Sequence, residues 1–268
     1  MKTSPLPRAR RHTFYFLDTI RAFAPVHLDT DVDMSAVRAH RQAARTAGEP
    51  RCSTAAYVLH AAGRVLARHP DANAALSGHL RPRLAHFPGV HGKLTLDKTL
   101  DGRRVVLSTV VPEIERASLA DIQRHLERFR DGDPGTMPEF ADVRRLHRAP
   151  QLIGSLAFRA AARRLRTRAG MMGTVAVTSL GHRPVDGFHS VGGTTTTLGL
   201  GRTADRPVVR DGRLAVAPVM RLSLTFDHRV IDGAEAADVL GELKDHLERF
   251  PTDAHEPATA AAASRETT

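Results

Sequence analysis

At 268 residues the chain is long enough to bury a sizeable core, and 41% apolar with 25% charged residues is a globular composition, not a disordered or fibrous one. No apolar run approaches the roughly 18–20 residues a membrane-spanning helix needs, which excludes a bilayer span. The single Cys52 excludes an internal disulfide framework and any cysteine-rich zinc site. Net charge is +10 and almost wholly arginine, since lysine stands only at positions 2, 93, 98 and 244. The arginines are dispersed, aromatics make up 4% with no Trp, and no zinc-finger or RNA-binding signature accompanies them. A solvated basic surface, or a field that attracts a polyanionic small molecule, therefore fits better than a nucleic-acid binder.

The basic stretch Arg8–Arg11 precedes His12–Ala24, which mimics a secretion signal. Asp18 and Arg21 interrupt it and no clean small-x-small cleavage site follows, so the expectation is a cytoplasmic chain. In chain order, Pro25–Asp33 reads as a strand. Ser35 opens a polar, alanine-rich helix to about Ala47. Ser53 or Thr54 opens Ala55–Arg68, whose apolar stripe ends at Pro70. Lys93–Leu100 and Arg103–Val111 are strands around the Asp101-Gly102 turn, and Ser118 caps a helix over Leu119–Phe129. Leu152–Arg168 reads as one arginine-rich helix. Strands follow at Thr174–Ser179, Thr194–Leu200 and Val219–Phe226, the last alternating cleanly. A final helix runs from about Ala234 to Phe250. Helices and strands interleave without a regular βαβ rhythm, which predicts an α+β fold, a mixed sheet with packed helices. The expected organisation is one domain over 1–250, then a low-complexity tail over 251–268 that cannot bury a core.

Chemistry concentrates in Asp227-His228-Arg229-Val230-Ile231-Asp232-Gly233, where the alternating strand ends and a helix begins. A histidine there is suited to general-base work near neutral pH, with a carboxylate four residues on to fix its loop. Two other readings stand beside it. Asp232-Gly233-Ala234-Glu235 has the form of a capping box, which makes Asp232 an N-cap and His228 a loop residue. The pair could also bind a metal.

The motif Asp-His-Arg-x-x-Asp-Gly between such a strand and an alanine-rich helix resembles the signature of the 2-oxoacid dehydrogenase acyltransferases. These dihydrolipoamide acyltransferases share a chloramphenicol-acetyltransferase-like fold. Arg10-Arg11, Pro25 with Thr30–Asp33, His69-Pro70 with Asn73, Gly173–Gly181 and Leu198–Arg202 resemble further family stretches in the same order. The resemblance implies a homotrimer with interfacial active sites and an acyl transfer to or from coenzyme A as substrate, without metal. It implies His228 as the base, Thr178 as the oxyanion donor where the family has serine, and Asp232 as the orienting residue, through Arg229 or Arg10. Ser179 is the neighbouring hydroxyl and, with Arg229, the candidate contact for coenzyme A. A lipoyl group would have to come in trans from a separate lipoyl-domain protein, because the chain starts almost at the catalytic domain.

Two departures bear on the acceptor. Gly102–Leu107 has arginine for leucine and lacks the proline of the family's Gly-Leu-x-x-Pro, and the arginine-rich Leu152–Arg168 is matched to no particular family stretch. They leave a dihydrolipoyl group or another small acceptor open. A catalytically silent trimeric scaffold of an oxoacid dehydrogenase-type assembly is the alternative. Two look-alikes are set aside: His182–Gly187 repeats His-Arg-x-x-Asp-Gly in an irregular loop, and Gly199–Ala204 fits a dinucleotide fingerprint but runs into an expected turn at Asp205–Pro207.

Overall fold

The computed structural model describes residues 1, 3–78 and 81–251. Helix α1 (Arg11–Ile20) is followed by strand β1 (Pro25–Asp33), then α2 (Ser35–Thr46) and α3 (Thr54–Leu66). A small hairpin of β2 (Ala74–Ser77) and β3 (Arg83–His86) precedes β4 (Gly92–Leu100), β5 (Arg103–Val111) and α4 (Leu119–Asp131). Three helices come next: α5 (Ala141–Arg148), α6 (Gln151–Arg163) and α7 (Leu165–Met172). Then β6 (Val175–Ser179), β7 (Thr196–Arg210), β8 (Arg213–Asp227) and α8 (Gly233–Glu248) complete the order.

Six strands form one mixed sheet in the order β1-β8-β7-β6-β4-β5. The pairs β4–β6 and β6–β7 are parallel, and the others antiparallel. The expected mixed sheet with packed helices is therefore present. One sheet face carries Leu94, Val175, Val177, Leu198, Leu200, Met220, Leu222, Leu224 and Phe226 into a core shared with α3 and α8. Helix α3 is almost wholly buried, which suits its apolar composition. The Ser53 hydroxyl accepts from the Ala56 N–H at 3.3 Å, and the Ser118 hydroxyl from the Asp121 N–H at 3.1 Å, the two expected caps.

On the opposite face the 181–193 loop lies directly against the sheet. A Cβ at Gly199 would stand 2.4 Å from the Phe188 carbonyl oxygen, and one at Gly201 would stand 1.9 Å from that of Asp186. These glycines serve a close backbone approach inside β7, and no helix follows them, so the dinucleotide fingerprint has no structural basis.

Two expectations are corrected. The helix expected over Leu152–Arg168 breaks at Arg164, whose ψ of 95° is extended, and a second helix starts at Leu165. Thr167 Oγ1 donates to the Arg164 carbonyl at 3.3 Å across the break. The turn expected at Asp205–Pro207 is strand instead. The chain reverses at Asp211-Gly212, both with positive φ (50° and 73°), as a tight hairpin requires. Pro207 is tolerated because β6 pairs with β7 only as far as Leu200, so the outer half of β7 has β8 as its neighbour in the sheet. The tail expected from Pro251 lies, from residue 252 on, outside the described residues.

Candidate active site

The last residue of β8, Asp227, is buried, and its neighbour His228 opens the turn that leads to α8. The end of the strand is pinned from two sides. The Asp227 N–H donates to the Thr195 carbonyl at 3.0 Å, and the His228 N–H to the Ala24 carbonyl at 2.9 Å. The imidazole lies against the Phe226 ring, with centroids 5.4 Å apart, while its side chain remains 46% exposed. Reactive reach on a fixed backbone is what a general base needs.

His228 Nδ1 stands 3.5 Å from Asp232 Oδ1, which leaves Nε2 as the nitrogen available to a reactant. Asp232 occupies the N-cap position of α8, yet its side chain makes no capping hydrogen bond and is 89% exposed. The capping-box reading therefore has the position right and the interaction absent. Neither Arg229 nor Arg10 meets Asp232. Arg229 turns instead to Asp227, with Nε at 2.8 Å and Nη2 at 2.5 Å, and its guanidinium stacks 5.1 Å from the Phe23 ring. Burial raises the Asp227 carboxyl, but hydrogen bonds from the Arg229 side chain and from the Ala24 and Arg229 N–H groups outweigh it. The net effect holds it below the ordinary carboxylate range. Asp227 was in the sequence motif without a role, and the structure makes it the anchor of the histidine turn.

Beneath this turn, the 192–195 segment is held by two cations that sequence reasoning missed. Lys93 Nζ donates to the Gly192 carbonyl, and Arg168 Nη2 to that of Gly193 at 3.0 Å. Burial, then repulsion from Arg168, pushes the Lys93 ammonium down to about 7. No sequence signal marks it beyond a lysine inside a strand.

Thr178 sits in β6 on the face covered by the 181–193 loop, its hydroxyl donating to Thr95 Oγ1 at 3.2 Å. Ser179 follows and points to the other side of the strand. The sheet register runs Thr178↔Gly199↔Ser223. Four residues from Ser223 to Asp227 cover about 13 Å, and two strand spacings about 10 Å, so within one chain Thr178 and the strand end that carries His228 are roughly 16 Å apart. One chain does not bring the two together.

Residues 141–254 match the family model described as 2-oxoacid dehydrogenases acyltransferase (catalytic domain). That segment is similar to the catalytic domain of this acyltransferase family. A 47-residue stretch is 55% identical to the dihydrolipoyllysine-residue acetyltransferase component of the pyruvate dehydrogenase complex of Bacillus subtilis (strain 168). That stretch is 18% of this chain and 11% of the relative. Among solved structures, a probable dihydrolipoamide acetyltransferase from Listeria monocytogenes 4b F2365 superposes with a TM-score of 0.71 at 16% identity. The superposition covers 95% of this chain and 97% of that one. The dihydrolipoamide acetyltransferase of Azotobacter vinelandii gives 0.69 at 22% identity, covering 93% and 92%. These likenesses establish a shared fold well beyond the segment matched by the family model.

The look-alike of the family motif is built differently. Asp186 accepts from Arg202 Nε at 2.5 Å and lies 3.2 Å from Arg206 Nη2, so it is committed to the β7 arginines and not to His182. Among the described residues, no third metal-ligating side chain stands with His228 and Asp232.

Proposed function

We propose that the chain is a coenzyme-A-dependent acyltransferase whose active sites form between copies, with the trimer of the family resemblance as the assembly. The observation that carries this reading is the His228 turn: an accessible imidazole on a doubly pinned strand end, Nε2 free, inside the segment that matches the acyltransferase family. The Azotobacter relative has a serine, a histidine and an asparagine with roles in its catalytic mechanism. Here His228 supplies the histidine and Thr178 a hydroxyl. A separation of roughly 16 Å within one chain between Thr178 and the strand end that carries His228 supports a site completed by a second copy.

In this reading His228 Nε2 takes the proton of the coenzyme A thiol, and the thiolate forms a bond to the carbonyl carbon of an acyl thioester. A thiol with its pKa near 8.5 is mostly protonated at pH 7, so a positioned base contributes about 10²–10⁴-fold. The tetrahedral oxyanion accepts a hydrogen bond from the Thr178 hydroxyl of the neighbouring copy. Collapse breaks the other carbon–sulfur bond, and the leaving thiolate recovers the proton from His228. The reverse direction uses the same groups. Arg229 belongs to the support of the turn through Asp227, and Ser179 keeps the part of a candidate coenzyme contact. The acyl partner is a dihydrolipoyl group presented by a separate lipoyl-domain protein, or another small thiol, hydroxyl or amine.

Single-turnover acyl exchange between acetyl-CoA and free dihydrolipoamide tests the assignment. His228→Ala is expected to lose about 10²-fold or more, and His182→Ala to keep the native rate. Exchange that survives His228→Ala would overturn the mechanism, and a native chain inert toward every acceptor would favour the silent scaffold.

A further inference from the structure

The helix-bearing side of the molecule holds a cleft of about 870 Å3 between α2 and the β7–β8 hairpin. Arg38, Arg41 and Arg45 project into it from α2 at helical spacing, and Arg51 joins them from the segment before α3. Two carboxylates, Glu49 and Asp205, also line it. Asp205 is taken by Arg38 at 3.2 Å. Among the described residues, Arg41, Arg45 and Arg51 have no carboxylate at ion-pair distance. Arg41 is half-buried beside Arg51, and burial together with that neighbouring charge lowers its pKa. Four guanidinium groups against two carboxylates in one concavity leave a net positive field that an anion would relieve.

The cleft is separate from the acyl-transfer residues. Pro218, in its wall, precedes Asp227 by nine residues of β8, about 30 Å. Thr203 pairs with core-facing Met220 and so lies on the helix side, whereas Thr178 lies on the other face.

We propose that this cleft binds a phosphorylated small molecule of nucleotide size, through charge-assisted contacts from Arg41, Arg45 and Arg51 to its phosphate groups. Planar guanidinium forks match phosphate oxygens bidentately. The volume lies within the roughly 300–1,000 Å3 of small-molecule sites and far exceeds a bare phosphate. No aromatic side chain lines the cleft, so the phosphates and not a stacked base carry recognition. The proposal stands independently of the acyl-transfer reading.

Adenosine 3′,5′-bisphosphate titrated calorimetrically into the full chain tests it. The native chain is expected to bind, unphosphorylated adenosine is not, and Arg41→Gln/Arg45→Gln/Arg51→Gln should weaken binding about tenfold or more. The single exposed change Arg45→Glu should act in the same direction without touching the half-buried arginine. Arg148→Gln/Arg159→Gln/Arg163→Gln removes equal charge elsewhere and should leave affinity unchanged. Displacement of the probe by coenzyme A would make the coenzyme's phosphate end the occupant, and displacement by free nucleotide alone a separate one. Absence of binding, equal losses in both triple variants, or adenosine binding as well as the bisphosphate would overturn the proposal.

Discussion

At the scale of single residues, the two carboxylates flanking His228 divide the work unequally. Asp232 stands near Nδ1 but in water, where such a pair contributes about 0–1 kcal/mol. Asp227 is buried, holds Arg229 by two side-chain contacts and accepts the Ala24 N–H. Its replacement leaves a half-buried guanidinium without its partner and frees the turn that carries the base. Asp232→Asn is therefore expected to lower kcat less than about fivefold. Asp227→Asn should lower it about tenfold or more with a smaller change in KM, in protein whose circular dichroism is native. Equal effects of the two changes in a kcat and KM comparison would reverse this ranking. The motif was legible in the sequence because its strand–turn–helix context is local. The choice between its two aspartates was not, since it depends on burial and on Ala24, 203 positions away.

Elements were legible where local signals decide them. β1 and β5 have the expected bounds, and Ser53 and Ser118 cap the expected helices. The misses are elements fixed by distant partners. Helix α1, where the sequence offered an interrupted signal-like run, is held through Tyr15 to Gln151 and through a His12 Nδ1 to His147 Nε2 hydrogen bond of 2.8 Å. Burial, then the neighbouring His12, pushes His147 down to about 4. The unfolded imidazole binds its proton near pH 6.5 and the folded one only near 4. The contribution is present above about 6.5 and lost as pH falls toward 4. Protection factors of the α1 amides, corrected for the intrinsic pH dependence of exchange, should fall over that window, and His147→Phe should shrink the effect to the part left by His12, whose pKa burial also lowers. Pinning by Lys93 has the same origin and the same sign. Its folded value of about 7 lies below the ordinary 10.5, so the unfolded chain holds the extra proton between those limits. Thermal stability of the native chain is expected to rise relative to Lys93→Met from pH 7 to pH 9. A flat difference in scanning calorimetry would contradict the burial of that amine.

For the whole molecule, the sheet register is the deciding fact. It keeps Thr178 and His228 of one chain on different parts of the sheet, a separation invisible in the sequence because both motifs look complete when read along the chain. The hydroxyl and the imidazole then meet only if copies assemble. The measurement that tests this most directly mixes two inactive variants, His228→Ala and Thr178→Val, unfolds and refolds them together, and assays acyl exchange. In a randomly mixed trimer about a quarter of the interfacial sites combine an intact His228 with an intact Thr178, so about a quarter of native activity should return. Two variants that stay inactive together, while each refolds and associates normally, would contradict a site shared between copies.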